Sequence, residues 1–151
     1  MVIITNGNTG IGATPTTSPN DRLVVVNAHC DGNNWINSSD RNLKENFTPV
    51  DVMDVLDRVA ALPIARWNYK SDSNAPHMGP VAQDFRAAFQ LGIDDKGIAT
   101  VDEGGVALAA IQGLNEKVGA ENAALCAENE ELKKRLERIE HMLAPKEEAA
   151  K

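Results

Sequence analysis

The sequence predicts a small α/β (α+β) globular domain that runs into a long C-terminal helix forming a parallel coiled coil, with a β-rich segment in front. Three observations predict this. Charge is sparse at the start, where only Asp21, Arg22 and Asp31 are charged within residues 1–38. Helical and strand periods alternate through residues 39–105. Apolar residues then recur in sevens over residues 106–144.

The first segment is built of turn formers. Asn6-Gly-Asn-Thr-Gly-Ile-Gly-Ala-Thr-Pro and Thr16-Thr-Ser-Pro-Asn combine residues that tolerate positive φ with prolines that lack a ladder donor. Short strands between turns are expected, one of them at Leu23-Val-Val-Val, where β-branched residues cluster. Such a segment buries little apolar surface alone and leans on neighbouring chains.

Residues 39–105 carry the α/β pattern. Thr48-Pro49-Val50-Asp51 predicts a helix start, with Thr48 as N-cap, Pro49 at the first helical position and Asp51 near the positive end of the dipole. Val52, Val55, Leu56, Val59 and Leu62 follow at helical spacing, and Pro63 stops the run. Ala65, Trp67 and Tyr69 alternate with Arg66, Asn68 and Lys70, the period of a half-buried strand. Trp67 and Tyr69 are therefore expected in the core, not on a ligand platform. A loop over Ser71–Pro76 leads into His77-Met-Gly-Pro-Val-Ala, and Val81, Phe85, Ala88 and Phe89 share one face of a second short helix. Gly97-Ile-Ala-Thr-Val is expected as a further strand, closed by a turn at Asp102-Glu-Gly-Gly.

In the last region one column of sevens holds Ile111, Val118, Leu125, Leu132 and Ile139. The other holds Leu108, Asn115, Asn122, Asn129, Leu136 and Leu143. They alternate by three and four residues, as the d and a positions of a left-handed coiled coil do. Glu128 pairs with Lys133, and Arg135 with Glu140, across parallel chains in register. Three successive Asn at a lower stability relative to Ile but restrict register, because a buried amide is satisfied opposite another amide. Asn layers suit dimers and trimers alike, so the pattern leaves the strand number open. The alternative is a single amphipathic helix lying on its own domain, although five heptads exceed what a small domain covers. Pro145 ends the helix, and residues 145–151 are expected as a disordered tail.

Composition excludes several functions. A net charge of −7 and a pI near 4.9 argue against nucleic acid or an anionic membrane as the partner. No apolar run approaches the ~20 residues that span a bilayer, and Met1–Ile4 gives way at once to Thr-Asn-Gly-Asn, unlike a signal peptide. Cys30 and Cys126 lie far apart without metal-ligand spacing and are expected as free thiols. His29, His77 and His141 share no such spacing with one another or with either cysteine. Asp94-Asp95 with Asp102-Glu103 need be no more than solvated turns. Gly7-Asn-Thr-Gly-Ile-Gly lacks the long helix and the lysine of a phosphate loop. No cofactor and no metal is implied.

Ser39 and Lys44, five residues apart in Asn37-Ser-Ser-Asp-Arg-Asn-Leu-Lys-Glu-Asn, make a nucleophile and a base, but the spacing alone equally suits a solvated turn. Larger motifs change that. Ser39-Asp-Arg-Asn-Leu-Lys-Glu-Asn, the helix ending at Leu62-Pro63, Arg66-Trp-Asn-Tyr, His77-Met-Gly-Pro-Val-Ala-Gln-Asp-Phe and Thr100-Val-Asp-Glu-Gly-Gly-Val-Ala-Leu-Ala-Ala-Ile-Gln-Gly-Leu occur in that order. Together they resemble the C-terminal intramolecular chaperone domain of endosialidase-type phage tailspikes and tail fibres, found also in the myelin regulatory factor. The resemblance covers roughly residues 35–118, and Asn6–Val26 is similar to the glycine-rich shaft repeats that often precede that domain.

The resemblance implies a homotrimer and an autoproteolytic chaperone. In that family a serine opens the Ser-Asp motif and a lysine five residues on completes a Ser-Lys dyad, the places held here by Ser39 and Lys44. Cleavage falls before that serine, at Ser38–Ser39, and would release residues 1–38 as the end of the fibre shaft. Asp40 is a candidate supporting group, although its charge would oppose a neutral lysine, and Asn42 or backbone amides are candidate oxyanion donors. The implied setting is a virion tail precursor assembled in the bacterial cytoplasm, with the chaperone part shed after cleavage. The rival functions are a non-cleaving trimerisation cap and a hydrolase acting on other chains.

Overall fold

In a computed structural model, residues 2–3, 9–11, 23–25 and 27–143 are described. The chain divides into two units, residues 1–49 and 50–151.

The first unit holds a five-stranded sheet in sequential order: β1 (Val2–Ile3), β2 (Thr9–Ile11), β3 (Leu23–Val25), β4 (Ala28–Cys30) and β5 (Trp35–Asn37). β2 and β3 run parallel, and the other pairs are antiparallel. The valine run forms β3 as its β-branching predicts, with Val26 outside the described residues. Thr9–Ile11 corrects the expectation of a turn there: each residue pairs with a β3 partner, and the ladder outweighs local turn preference. The remaining turn formers of residues 4–8 and 12–20, including half of the glycine-rich run Gly7–Gly12, lie outside the described residues, as does the tail from residue 144.

β3 reverses into β4 with Asn27 at φ 63°, a conformation Asn tolerates. Between β4 and β5, Asp31 Oδ1 accepts the backbone N–H groups of Asn34 at 2.6 Å and Asn33 at 2.8 Å. These two bonds, Asn34's first, hold the Asp31 carboxyl below its ordinary range. Ser38 then donates its N–H to the Asn27 carbonyl at 2.8 Å, carrying the β4–β5 hairpin up to the serine pair.

The second unit begins with α1 (Val52–Ala61), whose cap is Asp51. Thr48 was the expected cap, but the Asp51 carboxylate accepts from Met53 N at 3.0 Å and Asp54 N at 3.1 Å, which places the start three residues later. Asp51→Ala should therefore cost about 1 kcal/mol in thermal unfolding. Thr48→Ala should stay within about 0.5 kcal/mol, and equal losses would contradict this assignment.

β6 (Ala65–Tyr69) and β7 (Asp72–Gly79) form an antiparallel hairpin with a bulge between Trp67 and Tyr69. β7 takes in most of the stretch expected as a loop. Its Pro76 is tolerated because it falls in the register shift between the Trp67–His77 and Tyr69–Asp72 pairs, where no ladder donor is needed. Only Trp67 on β6 is partly buried, whereas Tyr69 is 59% exposed, so this face is not the core position expected. Trp67 stacks on His77 at 4.9 Å and meets Tyr69 edge-on at 5.1 Å.

α2 (Ala82–Phe89) presents Phe85 to the core at 4% exposure, with the Phe89 ring 5.0 Å away. Arg58 of α1 ties to the end of α2 by donating to the Ala88 carbonyl at 2.6 Å. Gln90, at φ 57°, ends α2 in the left-handed conformation usually given to glycine.

α3 is one helix of 44 residues, Thr100–Leu143. It starts ahead of the heptads, and it absorbs the end of the strand expected at residues 97–101 and the whole turn at 102–105. Residues 97–99 are irregular. The β-branched Thr100 and Val101 are overridden because Asp102 and Glu103 complement the helix dipole and Val106, Ala110 and Gly113 bury against the domain. α1 packs against α3.

The domain covers only that first stretch of α3. Ile111 remains 62% exposed, and Leu108, Val118, Leu125, Leu132, Leu136 and Ile139 are also exposed, so the heptad seam faces solvent on a single chain. A helix merely lying on its own domain would not leave this stripe open. Among the described residues, no helix is long and apolar enough to cross a membrane.

Candidate active site

Ser39 follows directly on the hairpin that ends at Ser38, and the chain then winds into a single 3-10 turn, Arg41–Leu43. Asp40 starts that turn: its Oδ1 accepts from Asn42 N at 2.9 Å and from Asn42 Nδ2 at 3.0 Å. Leu43 N–H donates to the Asp40 carbonyl and Lys44 N–H to the Arg41 carbonyl, both at 3.1 Å. A spacing of five matches neither a helix nor a strand. One tight turn followed by an extended Lys44 (φ −123°, ψ 150°) nevertheless brings the two side chains together.

Lys44 Nζ donates to Ser39 Oγ at 2.8 Å within the same chain. Both residues are exposed. At this length one proton shift reverses the bond: an uncharged amine would accept from the hydroxyl, the geometry general-base activation needs. The scissile bond expected at Ser38–Ser39 thus joins a residue held by the sheet to one held by the turn.

The other expected site residues are placed differently. Asp40 and Asn42 bond to each other and to the backbone of the turn, so the bonds they make shape the loop that carries Lys44. Downstream, Asn46 adopts a left-handed φ of 57°, and Phe47 lies with its ring centroid 5.3 Å from the guanidinium carbon of Arg41. Sequence reasoning did not single out this contact, and its one local signal is an aromatic ring six residues after an arginine. Leu43 and Phe47, on either side of Lys44, are 65% and 62% exposed. Cys30 and Cys126 are free, and His77 belongs to the aromatic cluster.

A serine hydroxyl and a lysine amine in contact, on a turn that precedes a small α+β domain with a long helix in the chain, make an arrangement whose chemistry a family comparison can test. Residues 39–91 match the family described as chaperone of endosialidase, which supports the resemblance that the motifs of the sequence carry. The match begins at Ser39 itself. It supports an intramolecular chaperone role, and the family is classed among peptidases. No curated protein matches the chain.

Proposed function

We propose that the chain trimerises and folds the shaft of a phage tail fibre or tailspike, then cuts itself between Ser38 and Ser39. The observation that carries this is the 2.8 Å contact between Lys44 Nζ and Ser39 Oγ, at the first residue of the family match. Ser39 Oγ attacks the Ser38 carbonyl carbon as its proton passes to the Lys44 amine. The tetrahedral species collapses with loss of the Ser38–Ser39 C–N bond, and Lys44 returns the proton to the departing Ser39 nitrogen. The resulting ester joins the Ser38 acyl group to Ser39 Oγ. Water hydrolyses it, freeing residues 1–38 with a new carboxylate and leaving Ser39 with a free α-amine and its hydroxyl restored. No external substrate is consumed, so each chain reacts once.

Lysine serves as a base only without its proton, and removing water from an amine favours the uncharged form. On a single chain Lys44 is exposed, as are Leu43 and Phe47 beside it. Assembly supplies the missing desolvation when neighbouring chains cover this surface. The open seam of α3 from Leu108 to Leu143, ~54 Å long at 1.5 Å per residue, aligns the three chains in parallel, with the Asn115, Asn122 and Asn129 layers setting register. Cleavage after assembly leaves the shaft kinetically trapped, because unfolding no longer retraces the folding path.

Intact mass of refolded wild-type protein should show the chain beginning at Ser39, and its rate of appearance should rise with protein concentration. A whole chain in a completed trimer would leave only the trimerisation cap. First-order cleavage at concentrations where the chain is monomeric would remove the link to assembly.

A further inference from the structure

We propose, resting on the autoproteolytic function above, that Arg41 and Phe47 are positioning residues: their contact clips shut the turn carrying Lys44 and so keeps that amine on Ser39. Lys44 stands between two anchors. Upstream, the 3-10 turn fixes it through its own N–H on the Arg41 carbonyl, with Asp40 and Asn42 closing the same turn. Helical bonding ends there, because Lys44 itself is extended. Downstream, Asn46 adopts a left-handed φ of 57°, and the Phe47 ring centroid lies 5.3 Å from Arg41 Cζ, joining the two sides of the loop across Lys44.

A long, flexible lysine side chain stays within hydrogen-bond reach of one hydroxyl only if its backbone is held, and small displacements of a reacting group cost rate steeply. Phe47 is 62% exposed, so it contributes little to a core, and its ring lies against the Arg41 guanidinium. The pair thus serves the geometry of Lys44 while touching neither the nucleophile nor the bond that breaks.

The test is a double-mutant cycle on cleavage rate, using full-length chains compared at equal trimer content. Phe47→Leu keeps an apolar side chain but removes the ring face, and should slow cleavage about two- to five-fold. Arg41→Gln should slow it to a similar extent. The double variant should be no slower than either single one, since one contact is lost in all three. Phe47→Trp should cleave at least as fast as wild type, because indole offers the better cation-binding face. The pH at which Phe47→Leu reaches half its maximal rate should match wild type, as expected when geometry changes and the base does not. Losses that multiply, a Phe47→Leu rate equal to wild type, or a shifted pH midpoint would overturn the clip while leaving self-cleavage standing. A wild-type trimer that stays whole would instead overturn the cleavage on which the clip depends.

Discussion

Ser39→Ala and Lys44→Ala proteins are expected to keep residues 1–38 after assembly, whereas wild type loses them. The first change removes the hydroxyl that accepts from Lys44 Nζ and that the proposed mechanism uses to attack. The second removes the proton acceptor, a contribution of about 10²–10⁴ in rate for a positioned base. Lys44→Arg separates base from charge: guanidinium keeps the cation but does not surrender its proton in proteins. It should therefore be as inert as Lys44→Ala, and cleavage by Lys44→Arg would show that position 44 acts through charge alone. A mixture of Ser39→Ala and Lys44→Ala chains, folded together, resolves which chain supplies the amine. The 2.8 Å contact lies within one chain, so no chain in the mixture holds both groups and none should be cut. Scission of the Lys44→Ala chains in such mixtures would mean that a neighbour's lysine does the work.

The parts of this molecule that were legible in its sequence are those where one physical term dominates. The helical spacing of Val52, Val55, Leu56 and Val59 places α1, and the heptads place the long run of α3. Failures cluster where local preference met a stronger tertiary term. The sequence pattern puts the helix cap at Thr48, but Asp51 prevails because its carboxylate reaches two amides. Thr100 and Val101 have strand propensity, yet they enter a helix whose next turns are buried. Ser73, Asn74 and Pro76 look like a loop, yet β7 runs through them because β6 pairs the residues on either side, Asp72 and His77 to Gly79. The Ser39–Lys44 pair was legible only through its resemblance to a family, because the turn that joins the two has no period to detect. Gly113 gave no signal at all, being one of four glycines in α3.

Gly113→Ala is expected to destabilise the protein by about 1–3 kcal/mol, although alanine is the better helix former. Gly113 is buried where α3 passes the start of α1. A methyl group added there would fall onto the Val52 carbonyl oxygen, with the Val52 carbonyl carbon at 2.9 Å and Leu56 Cβ at 3.1 Å. The obstacle is mostly backbone, at the first turn of α1, so no side chain can swing aside to make room. Relief requires α1 to lift from α3, loosening the contact that seats the domain on its helix. Gly119 is the control on the same helix, since a methyl there meets nothing within 4 Å. Gly119→Ala should raise stability by about 0.5–1 kcal/mol through the lost backbone freedom of glycine alone. The two substitutions are chemically identical and lie at Gly113 and Gly119 of one helix, yet their melting shifts should have opposite signs, roughly 2–4 °C for each kcal/mol in a chain of this size. If both raise the melting temperature, the close crossing of α1 over α3 at Gly113 is wrong, and with it the seat of the chaperone domain on its helix.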